Sequence, residues 1–191
     1  MPSDKDPEGY LTGQLLIAMP AMLDSRFFQT VIYVCVHNAE GAMGLVVNRL
    51  ANELTFSQLL QQLDMDSPGI GQEIRIHFGG PVESGRGFVL HTTEYTQEGT
   101  IIVDDGICLT ASIDILRDIA DGKGPQRSLL ALGYAGWGPG QLDSELTQNA
   151  WLQVSADDTL VFGRDLETKW DRAISKLGVD PLLLSGETGH A

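Results

Sequence analysis

The sequence predicts an α+β fold, and two observations carry this prediction. Short runs rich in β-branched and aromatic residues, bounded by glycine-containing turns, recur along the chain and are typical of β-strands. Segments with apolar residues at helical spacing lie between these runs at irregular intervals, so the regular alternation of a βαβ series is missing. The chain has 191 residues, of which 42% are hydrophobic. We therefore expect residues 1–191 to form one domain with a substantial core, and residues 1–9 and about 184–191 to be flexible tails.

The N-terminal part of the sequence predicts three strands followed by a helix. Residues 13–18 form an apolar run of strand length, and residues 30–36 and 43–47 form two more, joined by the turn sequence Asn38-Ala-Glu-Gly41. The last two runs predict a β-hairpin. Thr55 and Gln58 have the Thr-x-x-Gln spacing of a capping box, and apolar residues at helical spacing follow them. This pattern predicts a helix over residues 55–64.

The rest of the chain predicts short strands mixed with helices. Strands are expected at residues 74–78, 86–91 and 100–103, and the alternation in the first of these directs His77 away from its apolar face. A helix over residues 110–121 ends at Gly122. The remaining elements are a buried strand over residues 128–135, a loop over 136–140, a helix over 141–149, strands over 151–154 and 160–162, and a helix from Asp165 to Lys176.

Charge and cysteine content narrow the possible functions. With 12 Lys+Arg and 26 Asp+Glu, the formal net charge is -14, so the averaged field repels nucleic-acid backbones and acidic membrane surfaces. Cys35 and Cys108 each lie in an apolar run, which favours a reducing compartment over a disulfide framework. The first apolar run, residues 15–23, contains Pro20 and is too short to span a bilayer. We expect a cytoplasmic protein without membrane contact.

Several motifs resemble the YqgE/AlgH family along nearly the whole chain. The first are Leu16-Ile-Ala-Met-Pro20 with Asp24 and Phe27, and His37-Asn38 with Gly41-Ala-Met-Gly-Leu45 and Asn48-Arg49. The others are Gly79-Gly-Pro-Val82, Arg86-Gly-Phe-Val-Leu-His91, Gly136-Trp-Gly-Pro-Gly-Gln-Leu142 with Glu145, Asn149 and Trp151, then Trp170 and the closing Gly189-His-Ala191. The sequence departs from the family pattern at Leu50, where proline is frequent, and at Val36, where an acidic residue is frequent.

The resemblance implies a bacterial cytosolic protein in which a bifurcated mixed β-sheet closes into a pseudo-barrel flanked by helices. It also implies the role by which the family is usually described, transcriptional regulation, a description that looks derived from one member's link to alginate gene expression. The resemblance supplies no shared set of catalytic residues.

Polar residues near the predicted strand ends predict a site for an anion. Arginine captures carboxylates and phosphates with two parallel hydrogen bonds. Residues 9–122 contain five arginines and no lysine, and Arg26, Arg49, Arg75 and Arg86 precede the predicted helix over residues 110–121. We expect strand ends to converge on a glycine pair whose amides approach the ligand. The predicted ligand-binding residues are Asn38, Asn48, Arg49, Gly79, Gly80 and Arg86, with His37 and His91 nearby. The alternative is that Arg26 pairs with Asp24, that Arg86 pairs with Glu83, and that the asparagines satisfy loop backbone groups.

A cysteine and histidine pair provides an enzymatic alternative. Cys35 and His37 are two residues apart on a predicted strand, so both side chains are expected on the same face. Acyl or thiol chemistry would use Cys35 as the nucleophile and His37 or His91 as the base. A cysteine between valines is usually an inert core thiol, and this is the interpretation that we favour.

Our first hypothesis is therefore a cytosolic binding or regulatory module that acts through a protein partner or an anionic small molecule. The enzyme is the second, and a transcription factor that binds DNA directly is the third, disfavoured by the charge and by the missing helix-turn-helix pattern. No cofactor is expected, because the loop over residues 136–140 lacks the Gly-Lys-Ser/Thr ending of a phosphate-binding loop. No metal is expected, because His37, His77, His91 and His190 lack the spacing of zinc ligands. The sequence leaves the oligomeric state open.

Overall fold

The computed structural model describes residues 10–22, 24–51, 53–65, 74–104 and 106–179. The predicted tails, residues 1–9 and 184–191, lie outside these ranges. The described residues form a curled, largely antiparallel sheet that makes a half-barrel, with helices on its outside. This architecture confirms the predicted α+β fold class.

The described part of the chain contributes nine strands to this sheet. They are β1 (Gln14–Ala18), β2 (Val31–Asn38), β3 (Gly41–Val46), β4 (Ile76–Phe78), β5 (Val82–His91), β6 (Ile101–Ile102), β7 (Cys108–Thr110), β8 (Ser128–Trp137) and β9 (Trp151–Ser155). Their order is β6-β7-β5-β8-β3-β2-β1-β9, and β4 pairs in parallel with β8. The predicted hairpin is confirmed, because β2 and β3 pair from Ile32 opposite Val46 to Asn38 opposite Gly41.

Strand β8 belongs to both halves of the bifurcated sheet. Its N-terminal part pairs with β4 and β5, and its last residues pair with β3. Gly133 lies between these parts with φ +75, and a Cβ there would lie 2.3 Å from the carbonyl oxygen of Gly80. Only glycine accepts both the left-handed backbone and this close approach. The glycine therefore permits one strand to change partners within its length.

Five α-helices lie in the described residues: α1 (Phe56–Gln62), α2 (Ile113–Ala120), α3 (Gln141–Thr147), α4 (Asp158–Phe162) and α5 (Lys169–Lys176). The capping box before α1 is confirmed: the Thr55 side chain accepts a hydrogen bond from the Gln58 amide, and the Gln58 side chain accepts one from the Thr55 amide. Among these residues, no helix is long and apolar enough to cross a membrane.

The sheet separates two buried apolar clusters because neighbouring strand residues face opposite sides. Leu15, Ile17 and Tyr33 lie in the inner cluster, which also contains Phe88 and Ile174. The intervening residues of β1 and β2 lie in the other cluster with the helix α3; these are Leu16, Ile32 and Val34, packed with Trp137, Leu142 and Trp151. A third cluster lies between α1, α2 and the strands β4, β5 and β8.

The structure corrects several predicted elements. Residues 160–162 belong to the helix α4 and not to a strand, because Asp157 caps that helix by accepting from the Leu160 amide. The predicted helix over residues 110–121 begins at Ile113, because Thr110 ends β7. The last helix begins at Lys169 and not near Asp165. Strand β8 continues through Trp137, so the predicted loop is confined to the residues that follow it. Finally, His77 is buried, with 6% of its surface exposed.

Candidate functional site

Asn48 and Arg49 lie at the opposite end of the hairpin from Asn38. Asn38 pairs with Gly41 at the turn, whereas the Asn48 side-chain oxygen accepts from the amide of Val31, where β2 begins. At about 3.3 Å per residue, the length of β2 separates the two asparagines by roughly 20 Å. The structure therefore does not bring the predicted anion-binding residues together. In an antiparallel hairpin, the residue that precedes one strand and the residue that follows the other are neighbours, and the turn lies far away.

Asn48 and Arg49 hold the backbone of the preceding loop. The Asn48 amide group donates to the carbonyl oxygen of Gln29 at 2.9 Å. The Arg49 guanidinium donates to the carbonyl oxygens of Arg26 and Phe28. These contacts match the alternative interpretation, in which polar side chains satisfy loop backbone groups.

Gly79 and Gly80 approach protein backbone and not a cavity. The Gly79 amide donates to the Leu132 carbonyl oxygen, and its own carbonyl accepts from the Val46 amide, both at 2.8 Å. A Cβ on Gly80 would lie 2.1 Å from the Tyr134 carbonyl carbon. The glycine pair therefore joins β3 and β8 at the bifurcation of the sheet.

Asn38 and Arg86 are the two predicted ligand-binding residues that share a cavity. Both line an open groove of about 640 Å³ whose walls come from β2, β3, β5 and β8, with Phe88 and Tyr134 among its apolar residues. Arg86 lies 5.1 Å from the centroid of the Phe88 ring. It also lies 3.5 Å from a Glu83 carboxylate oxygen, the pair that the alternative interpretation of the sequence predicted. The groove is chiefly apolar, with one arginine that already has an acidic partner.

Cys35 and His37 do not share a face of β2. The pairing of β2 with β3 shifts between Val34 and Val36, which makes Cys35 the extra residue of a β-bulge. Cys35 lies in the inner cluster, whereas His37 Nδ1 accepts from the amide of Leu11, a residue of the other cluster. Burial raises the pKa of the Cys35 thiol. The predicted same-face arrangement is wrong, because the bulge reverses the alternation of side chains.

His91 has both ring nitrogens engaged. It is fully buried, with Nδ1 2.9 Å from the carbonyl oxygen of Thr92 and Nε2 2.7 Å from the Thr110 hydroxyl. Because a carbonyl oxygen only accepts, Nδ1 carries the proton and Nε2 of the neutral ring accepts from the hydroxyl. Burial lowers the pKa of His91. This histidine joins two strands and is not placed to serve Cys35.

A different cavity collects basic side chains, and we call it the basic cavity. It has a volume of about 510 Å³ and lies at the edge of the sheet where β4 and β8 begin, against the helix α4. Its lining includes Arg75, His77, Arg127, Asp158, Phe162 and Arg164. The remaining lining residues are Ile74, Gln126, Ser128, Leu129, Leu130, Thr159 and Gly163.

The parallel pairing of β4 with β8 explains how two of these arginines meet. Arg75 directly precedes β4 and Arg127 directly precedes β8, and parallel strands begin at the same edge of a sheet. Arg164 lies in the connection between α4 and α5, and its carbonyl oxygen accepts from Arg75 Nη2 at 2.9 Å. Burial, and next the charge of Arg164, lower the pKa of Arg75. The cavity therefore concentrates positive charge.

Among the described lining residues, one acidic side chain accompanies three arginines. Asp158 is the acidic residue among the described lining, and its carboxylate lies 4.0 Å from Arg127 in a pair that is more than half exposed. A pair of this kind contributes little, about 0–1 kcal/mol. The described lining of the cavity therefore carries more positive than negative charge, on a protein whose net charge is -14.

Lys169 and Arg172 of the helix α5 lie close behind the basic cavity. Lys169 is completely buried, and its Nζ donates to the carbonyl oxygens of Val47 at 3.0 Å and Val161 at 3.1 Å. Burial, and then the charges of Arg172 and Arg75, lower the pKa of Lys169 to about 7. Arg172 Nη2 donates to the Asp165 carbonyl oxygen, while its Nε is buried without a hydrogen-bond partner in the described part of the chain.

His77 forms part of the buried wall of the same cavity. Its Nδ1 lies 3.1 Å from the carbonyl oxygen of Leu130 on the neighbouring strand. Burial is the main cause that lowers the pKa of His77 to about 4, and the charge of Lys169 adds to it. At neutral pH this histidine is uncharged, so the positive charge of the cavity comes from arginine and lysine.

Sequence reasoning noted Arg75 but missed Arg127, Arg164 and Lys169. Arg75 and Arg127 meet because a short strand pairs in parallel with a strand that is distant in sequence. Neither periodicity nor spacing reveals such a pairing. The available hint for Lys169 was its place at the start of the helix, next to Trp170 and one turn before Ala173. Within the described ranges, no group of three or more His, Cys, Asp or Glu side chains is arranged to hold a metal ion.

Comparison with known proteins tests the family resemblance. The family model described as AlgH-like (DUF179) matches residues 15–182. The chain belongs to the AlgH-like family. A UPF0301 protein of Afipia carboxidovorans is 54% identical over 190 residues, which cover 95% of this chain and 90% of that relative. A UPF0301 protein of Rhodospirillum rubrum is 55% identical over 184 residues, or 96% of each chain.

Solved structures agree with this assignment to the AlgH-like family. The solution structure of AlgH from Pseudomonas aeruginosa matches with a TM-score of 0.80 and 44% identity, over 96% of this chain and 97% of that one. A crystal structure of a protein from Corynebacterium diphtheriae matches with a TM-score of 0.72 and 16% identity, over 92% and 91% of the two chains, and shows the fold alone.

The AlgH-like motif that contains Trp137, Glu145 and Trp151 has a structural role. Glu145 Oε1 accepts hydrogen bonds from the indole nitrogens of Trp137 at 3.2 Å and Trp151 at 3.0 Å. Its other oxygen accepts from the Gln141 side chain at 3.0 Å. The motif thus joins α3 to β8 and β9, and it needs no ligand to account for its residues.

Proposed function

We propose that this protein is a binding module for a small anionic molecule, which the basic cavity holds through a phosphate or carboxylate group. One observation supports this proposal above the others: Arg75, Arg127 and Arg164 surround one cavity with a single acidic side chain in its described lining. Arginine binds both kinds of oxyanion with paired hydrogen bonds.

The energetics of the cavity favour an anion. Five of the 12 Lys and Arg residues lie in or directly behind it, while the protein as a whole is acidic. Like charges that are held together and partly removed from water raise the free energy of the folded protein. An anion would offset this cost, and the offset would appear as binding free energy.

The size and lining of the cavity suit a small organic molecule. Its volume of about 510 Å³ lies within the usual range for small-molecule sites, roughly 300–1,000 Å³. Ile74, Leu129 and Phe162 provide apolar surface beside the arginines. An anionic group would bind the guanidinium groups, and the body of the molecule would lie against the apolar wall.

Our proposal includes a cytoplasmic location and a regulatory output. Cys35 and Cys108 are both free thiols, as a reducing compartment favours. Binding of an anion would change the charge at the exposed rim formed by Arg127 and Arg164, and a protein partner could distinguish the two forms by that charge. Thiol chemistry has less support, because Cys35 is buried away from His37 and its pKa is raised.

Thermal unfolding with a panel of anions tests the proposal. The panel contains inorganic phosphate, nucleoside monophosphates, citrate and other carboxylates at a constant low ionic strength, so that screening is the same throughout. A ligand at 100 times its Kd should stabilise the fold by about 2.7 kcal/mol, which corresponds to roughly 5–10 °C in Tm for a chain of this size.

Matched variants separate the basic cavity from other arginines. Arg127→Gln removes an exposed rim residue of the cavity, and Arg117→Gln removes an exposed arginine of α2 whose partner is Asp114. Arg86→Gln tests the groove. We expect the stabilisation to disappear in Arg127→Gln and to remain in the other two. The absence of any anion-dependent shift, or an equal shift in Arg127→Gln, would overturn the proposal; loss in Arg86→Gln alone would move the site to the groove.

A further inference from the structure

Lys169 is a buried amine close to the basic cavity. Its Nζ is completely buried and donates to two carbonyl oxygens, those of Val47 and Val161. An ammonium group has three donors, and two acceptors are in place. Within the described residues, no carboxylate lies within ion-pair distance of this amine, unlike Lys176 on the same helix, which is 2.8 Å from Asp157.

Among the described residues, the charges that act on the pKa of Lys169 are those of two arginines. Arg75 and Arg172 act on Lys169 through their charges, and Lys169 acts in turn on His77 in the cavity wall. One of its acceptors, Val161, lies directly before cavity residues of α4. In the described part of the chain, the charged and titratable groups that face this region are Arg75 before β4, His77 on β4, Arg127 before β8, Asp158 on α4, Arg164 and Asp165 in the connection to α5, and Arg172 on α5.

We infer that an anion enters the basic cavity together with a proton that Lys169 takes up. This inference rests on the proposed function, because it concerns the same cavity. The reason is electrostatic: without an anion, the neighbouring arginines and the buried position both favour the neutral amine, and an anion beside Arg75 favours the ammonium form. Binding and protonation therefore support each other, as linked equilibria must.

Other groups do not account for such an uptake near neutral pH. Arginine stays protonated throughout the accessible range. The pKa of His77 is lowered to about 4, so even if an anion raised this pKa by about one unit, His77 would stay neutral above pH 7. The pKa of Lys169, about 7, places that amine at the midpoint of its titration.

Calorimetric titration with sulfate tests the inference. Sulfate resembles a phosphoryl dianion but does not titrate between pH 6 and 9, so any proton that moves must bind to the protein. Titrations at pH 7.5 in buffers of different ionisation enthalpy should show an observed enthalpy that changes linearly with that enthalpy. If sulfate raises the pKa of Lys169 from 7 to about 8, the slope corresponds to an uptake of about half a proton, and sulfate affinity falls about tenfold between pH 6 and pH 9.

Two variants assign the proton. Lys169→Met should abolish the slope, and Lys176→Met, the same substitution at an exposed position of α5, should retain it. If Lys169→Met fails to fold, the slope and the pH dependence of the parent protein and of Lys176→Met decide the question. Sulfate binding with no slope would overturn this inference and leave the proposed function intact. A slope that persists in folded Lys169→Met would also overturn it, while no binding of sulfate or of any panel anion would remove both proposals.

Discussion

Lys169 makes the stability of the protein depend on pH with a sign and size that follow from its position. Burial is the main cause that lowers its pKa from 10.5 to about 7. Between these values the unfolded chain binds a proton that the folded chain releases, so the free energy of unfolding rises with pH across this window. The destabilisation is about 4 kcal/mol at pH 7 and about 1 kcal/mol at pH 10, so Lys169 accounts for a difference of about 3 kcal/mol.

Urea unfolding of the parent protein and of Lys169→Met at pH 7 and pH 10 measures this difference. Relative to the parent, the variant should gain about 3 kcal/mol on going from pH 10 to pH 7, because it has no amine to protonate in the unfolded state. Other titrating groups are common to both proteins and cancel in the comparison. Lys176→Met provides the reference for removing an exposed lysine from the same helix. A stability difference that stays constant within about 1 kcal/mol between the two pH values would refute the reasoning.

Three further predictions concern the fold and the thiols. Gly80→Ala places a Cβ 2.1 Å from the Tyr134 carbonyl carbon at φ +155, so urea unfolding should show a loss of stability of about 3 kcal/mol or more. Gly85→Ala is the control, because open space surrounds that position, and it should change stability by less than about 0.5 kcal/mol. Similar losses in both variants would contradict the close approach at Gly80. Glu145→Ala leaves the indole donors of Trp137 and Trp151 without their acceptor and should lower the free energy of unfolding by about 2–3 kcal/mol in the same assay. Glu145→Gln keeps an oxygen at this position and should lower it by less. Equal losses in the two variants would show that the charge of the carboxylate is the stabilising feature. Cys35 and Cys108 should resist a thiol-selective reagent in the native protein at neutral pH and react together in urea, because both are buried with raised pKa values; rapid native labelling of Cys35 would restore the enzyme hypothesis.

Local sequence patterns predicted the elements that depend on local forces. The capping box of Thr55 and Gln58 and the β2–β3 hairpin are examples, because each is fixed by residues within one turn or one hairpin. The pattern failed at residues 160–162, where three apolar residues resemble a strand although Asp157 has already started a helix. It also failed to detect the bulge at Cys35, because an inserted residue leaves the composition of a strand unchanged.

The candidate site was harder to predict because its residues meet only through tertiary pairing. The sequence placed the expected anion site at the hairpin ends, but the structure uses Asn48 and Arg49 to hold a loop and Gly79 and Gly80 to pack two strands. Arg75 and Arg127 become neighbours because β4 and β8 run in parallel, a pairing that the chain makes across a long sequence separation. The sequence reasoning considered arginines, and the pairing of strands decided which of them meet in the basic cavity.

The pairing of β1 with β9 has a consequence for how the nascent chain folds. β1 lies between β2 and β9, with Leu15 opposite Val154, so β1 completes its hydrogen bonds only with a strand about 140 residues later in the chain. Until residue 155 has emerged, one side of β1 presents unpaired backbone groups and Leu16 lacks its packing against Trp151. Such an open strand edge is a surface on which chains aggregate. The sheet therefore cannot close on this side of β1 until β9 has left the ribosome, and the chain up to that point carries an open edge.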